Sequence, residues 1–300
     1  MLPPFLKPIS KVEQNESYPF AAVYTHSENL GKSESYSLWW PWRAANTQPS
    51  VVLLFVPGNP GLADFYIPYL SHISESAPDS LAILAHSLIG HSPRVAATPL
   101  AFSRLEAQVE GIIEIVDNID HTFGSATSIV LIGHSVGAWI VLQALRERSQ
   151  RITSAFLLFP TIAHIARTPN GSRFSWLFHG PIPHILASMS LIFRVIPKRT
   201  ISLLFRGWPD DQVKVLWSFL NSPSSILAAL TMAREEMATI KDLDKVLLHE
   251  VKDRLYFFLA EADDWVGINK DAILREMSDD LHSVRVVHGQ HGIPHAYCIS

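Results

Sequence analysis

Short hydrophobic runs, most of them continuous, recur along the chain. They cover residues 51–56, 81–85, 129–132, 155–159, 255–259 and 284–287, preceded by strand-like pieces at 20–24 and 36–40. Runs of this length without alternation are the mark of parallel strands covered on both faces. Helical spacing fills the intervals. From Leu105 the apolar positions Leu105, Val109, Ile112, Ile113, Val116 and Ile119 recur once per turn, and Ser103 with Glu106 offers a capping box in front of them. Strands alternating with helices predict right-handed crossovers and an α/β fold whose mostly parallel central sheet is flanked by helices. In such sheets ligands bind beyond the carboxyl ends of the strands, so the chemistry is expected there.

One of those ends carries Gly133-His134-Ser135-Val136-Gly137, between the strand at 129–132 and a helical run beginning Ala138-Trp139-Ile140. This is a G-x-S-x-G elbow in its strand–turn–helix context, and it predicts an α/β-hydrolase fold with Ser135 as nucleophile. The turn is so tight that the flanking positions must lack bulk, which explains the two glycines. A serine hydroxyl attacks only when a base takes its proton. In this fold an acid and a histidine follow later in the chain, in that order. Asp263 and Asp264 follow the run at 255–259, and His288, His291 and His295 lie at or after the run at 284–287. Position alone leaves Asp263 and Asp264 open. It disfavours His288, which belongs to the strand, and does not separate His291 from His295. His134 is read as an elbow residue, since a neighbour of the serine in sequence does not easily face the same proton. The loop Pro57-Gly58-Asn59-Pro60-Gly61 after residues 51–56 is the expected oxyanion loop. Pro60 has no N–H, so the amide of Asn59 is the candidate donor, with that of Val136 as its partner.

Composition narrows the picture. Of 300 residues, 48% are hydrophobic and 17% charged, which suits a single α/β domain over 1–300 rather than two small ones. A net charge of -4 gives no reason to expect a nucleic-acid partner, and the 14 histidines are not at metal-ligand spacings. The chemistry calls for no metal or cofactor. Cys298 is the single cysteine, which reads as a reducing compartment. The prolines of the opening MLPPFLKPIS interrupt any secretory apolar core, and no run of membrane-spanning length occurs. The ending Tyr297-Cys298-Ile299-Ser300 is neither a prenylation box nor a Ser-Lys-Leu signal.

Taken together, Pro57 to Gly61 followed by Phe65-Tyr66, then Gly90-His91, the Ser135 elbow, Asp263 with Trp265, and Ile293-Pro294-His295-Ala296 resemble the lipid droplet-associated hydrolases, from about Val51 onward. Within that family the chain looks like a fungal-type member. The resemblance implies Asp263 as the acid and His295 as the base. It implies ester or cholesteryl-ester hydrolysis at a lipid droplet or endoplasmic reticulum surface, or in the cytoplasm, with the peroxisome left open. Some fungal relatives look like tailoring hydrolases of secondary metabolism, which adds fatty-acyl or polyketide esters and thioesters as substrates. Two departures stand out. Gly111-Ile112 occupies the place of a family His-Lys pair, and only five residues follow His295 where the family fold continues into a helix that buttresses the histidine loop.

Nearly a hundred residues separate the runs at 155–159 and 255–259, so a helical cap insertion is expected over 161–250. Its middle is apolar, with Phe174, Trp176, Leu177 and Phe178, and then Ile182, Ile185, Leu186, Met189, Ile192, Phe193 and Ile196 at helical spacing. Arg194, Lys198, Arg199 and Arg206 lie nearby. Such a stripe serves equally as a lid over an acyl pocket or as a face against a lipid surface, here residues 174–206. Two other functions use the same features: an acyltransferase, in which an alcohol or amine intercepts the acyl-enzyme, and a catalytically idle lipid-surface protein.

Overall fold

The computed structural model describes residues 1–9, 19–44, 47–277, 285–289 and 292–299. The strand-like pieces and hydrophobic runs become β2 (Phe20–Thr25), β3 (Glu34–Trp40), β4 (Val51–Val56), β5 (Leu81–His86), β6 (Ser128–His134), β7 (Ile152–Leu158), β8 (Leu255–Leu259) and β9 (Val286–His288), Val284 of the last run lying outside the described residues. A further strand that the pattern did not announce, β1 (Leu6–Pro8), precedes them. They form one sheet in the order β1-β2-β3-β5-β4-β6-β7-β8-β9. The pairs β1–β2, β2–β3 and β3–β5 are antiparallel, and the rest of the sheet is parallel. β4 and β6, which feed the oxyanion loop and the elbow, are central neighbours, paired from Val51–Ser128 to Val56–Gly133. Their carboxyl ends therefore emerge side by side.

Helices α1 (Ile67–Ser76), α2 (Leu105–Phe123) and α3 (Val136–Glu147) follow β4, β5 and β6, and α10 (Asn269–Glu276) follows β8. α2 turns Leu105, Ile112, Ile115, Val116 and Ile119 into the core. The expected capping box does not form. Arg104 is the N-cap without a side-chain bond, and the free N–H of Leu105 is taken by Glu235 Oε2 at 2.9 Å. A carboxylate from another helix supplies what the local sequence offered. Gly111, in α2, faces His26 and Ile89, and an added Cβ would lie 2.9 Å from Ile89 Cδ1 and 3.0 Å from the His26 ring. Any bulkier residue at that departure from the family pattern requires these neighbours to move.

The core is continuous on both faces of the sheet, with Leu54, Phe55, Ile83, Leu84, Ile129 and Leu131 fully buried. Each such side chain stabilises the fold by roughly 1.5–3 kcal/mol. Between β7 and β8 the chain runs through α4 (Pro169–Phe174), α5 (Ile182–Met189), α6 (Lys198–Leu204), α7 (Asp210–Leu220), α8 (Pro223–Thr239) and α9 (Lys245–Val251). This is the helical insertion of the fold. The apolar series expected as one helix from Ile182 to Ile196 breaks after Met189 into a 3-10 turn, Ser190–Arg194. There the Ser190 hydroxyl turns back to the Ala187 carbonyl at 2.7 Å, competing with the helical ladder. Among the described residues no single helix is long and apolar enough to cross a membrane.

Candidate active site

β6 ends at His134 and α3 begins at Val136, so Ser135 alone turns the chain. It does so at φ 55°, ψ -123°, a conformation costly for any residue with a side chain and found where function requires it. A Cβ on Gly133 would overlap the Gly137 carbonyl and the backbone of Ala138, and one on Gly137 would overlap the Val56 carbonyl. Both glycines are therefore demanded by close backbone approach. A Cβ on Gly58 would lie 2.7 Å from Ser135 Cβ, which shows how tightly the loop after β4 presses on the serine.

Three distant segments meet here. His295 Nε2 lies 2.9 Å from Ser135 Oγ, and His295 Nδ1 lies 2.7 Å from Asp263 Oδ2. The carboxylate only accepts, so Nδ1 carries the ring proton and Nε2 is left to accept from the serine hydroxyl. The other carboxyl oxygen of Asp263 receives the N–H groups of Trp265 and Val266 at 2.9 and 3.1 Å. The Asp263 side chain is 5% exposed, whereas Asp264 is exposed and meets its neighbours through its backbone carbonyl. His288 sits exposed at the end of β9. His291 lies outside the described residues.

A second imidazole backs the first. His134 Nε2 lies 2.9 Å from the backbone carbonyl of His295, and His134 Nδ1 lies 2.7 Å from Tyr66 Oη. A carbonyl accepts, so Nε2 carries the proton and Nδ1 accepts from the tyrosine hydroxyl, which itself receives the Gly58 N–H at 3.3 Å. Burial, with the nearby His295 ring adding to it, pushes His134 down to about 3, so it stays neutral. The short segment after His295 also supports the loop. The Tyr297 ring packs within 5.2–6.2 Å of the rings of His134, Tyr69, Phe159 and Tyr66. Burial raises the Cys298 thiol to about 11, which keeps it protonated.

Ser135, His295 and Asn59 line a cavity of about 450 Å³, closed on the insertion side by Phe178, Phe219 and residues of α8. The backbone N–H of Asn59 makes no hydrogen bond among the described residues, and that of Val136 lies at the first position of α3, where no intrahelical acceptor exists. The Asn59 side chain is engaged elsewhere, its Nδ2 donating to the Ala229 carbonyl and to Glu236 Oε1, both at 2.9 Å. Burial drives the Glu236 carboxyl up to about 8 against that hydrogen bond. A larger groove of about 920 Å³ runs between α2, α3 and α8 and contains none of these site residues.

The sequence profile of the lipid droplet-associated hydrolases matches residues 49–298, a span that contains every residue of this site. The chain belongs to that family. It is a hydrolase of the α/β-hydrolase type. Its similarity to the mouse lipid droplet-associated hydrolase is 24% identity over 270 residues, covering 84% of this chain and 81% of that protein. The fruit-fly protein of the same name is 24% identical over 252 residues, covering 77% and 79%. Among solved structures, an epoxide hydrolase from Vigna radiata superimposes with a TM-score of 0.63 at 15% identity, covering 93% of this chain and 92% of that one. A thioesterase domain from the curacin biosynthetic pathway does so at 0.58 and 12%, covering 94% and 96%. At such identities the likeness speaks to fold. Sequence reasoning missed two residues that the structure brings into this candidate site of the lipid droplet-associated hydrolase chain. Glu236 lies in a polar-looking helical stretch, Arg234-Glu235-Glu236, with no motif to mark it. Tyr66 stood next to the PGNPG loop, but its bond to the elbow is visible only in three dimensions.

Proposed function

We propose that the protein cleaves carboxylic esters of lipid-like substrates by two-step acyl transfer to water, with Ser135 as nucleophile, His295 as base and Asp263 orienting it. The observation that carries this reading is the continuous line from Asp263 Oδ2 through His295 to Ser135 Oγ, at 2.7 and 2.9 Å. Ser135 Oγ attacks the ester carbonyl carbon as its proton passes to His295 Nε2. The carbonyl oxygen becomes an oxyanion held by the amides of Asn59 and Val136. The C–O bond to the alcohol then breaks, and the alcohol leaves with the proton from Nε2. Water repeats the sequence on the acyl-enzyme and releases the acid. The mostly apolar cavity suits fatty-acyl or polyketide chains, and thioesters react by the same route with a thiol leaving.

Residues 174–206 of the insertion serve two faces. Phe178 is buried and lines the cavity, and Phe174 stacks on Trp265, with ring centroids 6.2 Å apart. Outward, Trp176, Ile185, Met189, Ile192, Val195, Leu203 and Leu204 are 50–79% exposed, in the same stretch of chain as Arg194, Lys198, Arg199 and Arg206. Apolar side chains flanked by cations are the make-up of a lipid-surface contact. The names of the relatives agree with a droplet surface as the site of action.

Turnover of soluble aryl esters tests the chemistry. Ser135→Ala is expected to lower kcat by about 10⁴–10⁶-fold and Asp263→Asn by about 10⁴-fold, with the fold retained. Undiminished turnover in folded Ser135→Ala would refute the reading.

A further inference from the structure

The cavity beside Ser135 is walled largely by carbon, including Leu62, Phe65, Phe178, Phe219, Ile226 and Leu230. Into this wall α8 brings one carboxyl group, that of Glu236, in a residue only 8% exposed. Oε1 accepts from Asn59 Nδ2 at 2.9 Å. Oε2 makes no hydrogen bond among the described residues, and it is absent from the buried polar atoms sealed off without a partner. It therefore meets the space of the cavity. Fixing Asn59 does not by itself call for a carboxyl group, since Asn59 is also held by the Ala229 carbonyl and any neutral acceptor would serve. The scissile carbonyl has its own partners in the amides of Asn59 and Val136.

We propose that Glu236 is a substrate-reading residue, whose carboxyl group hydrogen-bonds a second oxygen function of the substrate, so that the site selects oxygenated lipid esters over plain hydrocarbon ones. The proposal rests on Ser135 hydrolysis as argued above. With Oε1 already accepting and the group held neutral up to about 8 by burial, the proton resides on Oε2, which becomes a donor at neutral pH. A keto, ester or hydroxyl oxygen satisfies that donor. A hydrocarbon chain drives out its water and leaves the O–H unpaired, which is how a polar pocket rejects an analogue lacking the partner.

The other titratable groups lining the cavity are Tyr66, His134, His295 and Cys298. Burial raises Tyr66 well above its usual range and Cys298 to about 11, and His134 is neutral, so these three keep their state between pH 7 and 9. His295 acts on every ester alike and cancels in a ratio of two substrates.

The test compares kcat/KM for p-nitrophenyl esters of a medium-chain acid, a positional series of its keto analogues, and the matching hydroxy analogues. Wild type is expected to favour the best-placed oxygenated esters by about 10–100-fold at pH 7. Glu236→Gln, which keeps an N–H donor and an acceptor for Asn59, retains the preference, and Glu236→Leu loses it. Raising the pH through 8 removes the wild-type preference for the keto ester, because the ionised carboxylate only accepts, but leaves that for the hydroxy ester, which then donates. An unchanged ratio in Glu236→Leu, with Ser135 still labelled by a fluorophosphonate, overturns the proposal alone. A folded wild type that reacts with neither fluorophosphonate nor ester overturns the Ser135 reading and this proposal together.

Discussion

Ser135 stands between two imidazoles with different duties. His295 faces the hydroxyl, whereas His134 reaches past it to hold the backbone carbonyl of His295 and, through Tyr66, the N–H of Gly58. The neutral state of His134 is what lets one nitrogen donate and the other accept. His134→Ala takes from the Tyr66 hydroxyl the acceptor at Nδ1 and from the buried His295 carbonyl its donor, and the loop carrying His295 loses its fixed position. Steady-state kinetics on a soluble ester are expected to show kcat reduced by about tenfold or more with KM little altered. His134→Gln, whose amide nitrogen reaches about as far as Nε2, should recover part of the loss. A wild-type kcat in His134→Ala would show that this contact does not position the base.

At the scale of elements, the insertion between β7 and β8 carries the exposed apolar side chains. α6 exposes Leu203 and Leu204 at 60% and 73%, and Val195 just before it is 79% exposed. Changing these three to Asp adds charge to the outward face without touching the cavity lining. The triple variant is expected to lose most of its co-flotation with phospholipid-coated triacylglycerol emulsions and to hydrolyse a short soluble ester at the wild-type rate. Equal flotation would contradict the assignment of this face. The insertion was also the element least legible in the sequence. Strands β4 to β8 announced themselves because each contains a short, continuous apolar run, and the elbow because its glycines are sterically required. The insertion's apolar residues serve both a cavity and a surface, so periodicity could not divide them. Its break after Met189 falls where the Ser190 hydroxyl bonds backward to Ala187, which periodicity does not show. The missing capping box at Ser103 has a similar origin, since Glu235 reaches the start of α2 from α8, 130 residues away.

Across the whole molecule, the sheet order brings β4, β6, β8 and β9 together so that residues from 59 to 295 share one rim. From position that convergence was legible only as chain order, Ser then Asp then His; the choice of Asp263 over Asp264 and of His295 over His291 came from the family resemblance of the residues around them. The same burial that shapes the rim sets a pH limit on the fold. Burial lowers His86 well below its usual value, with His26 adding to it, and takes His91 to about 4 and His134 to about 3. Below pH 6.5 the unfolded chain binds protons at these histidines that the folded chain refuses, so stability falls as pH falls. Each fully neutral histidine contributes a slope of about 1.4 kcal/mol per pH unit in that window. The carboxyls that burial raises, Glu236 to about 8 and Asp64, work the other way and cost stability as pH rises, but they are two groups against three. Thermal melts are therefore expected to show a Tm clearly lower at pH 5 than at pH 6.5; a Tm as high at pH 5 would mean that the three imidazoles are not buried as described.

The proposed chemistry turns on the reactivity of one oxygen atom, Ser135 Oγ, and covalent labelling reads it directly. Incubation of the folded protein with a fluorophosphonate, followed by intact-mass and peptide mass spectrometry, should reveal one phosphonyl group on Ser135 and none in Ser135→Ala. A folded wild type that stays unmodified, or a Ser135→Ala protein that is labelled as fully, would contradict it.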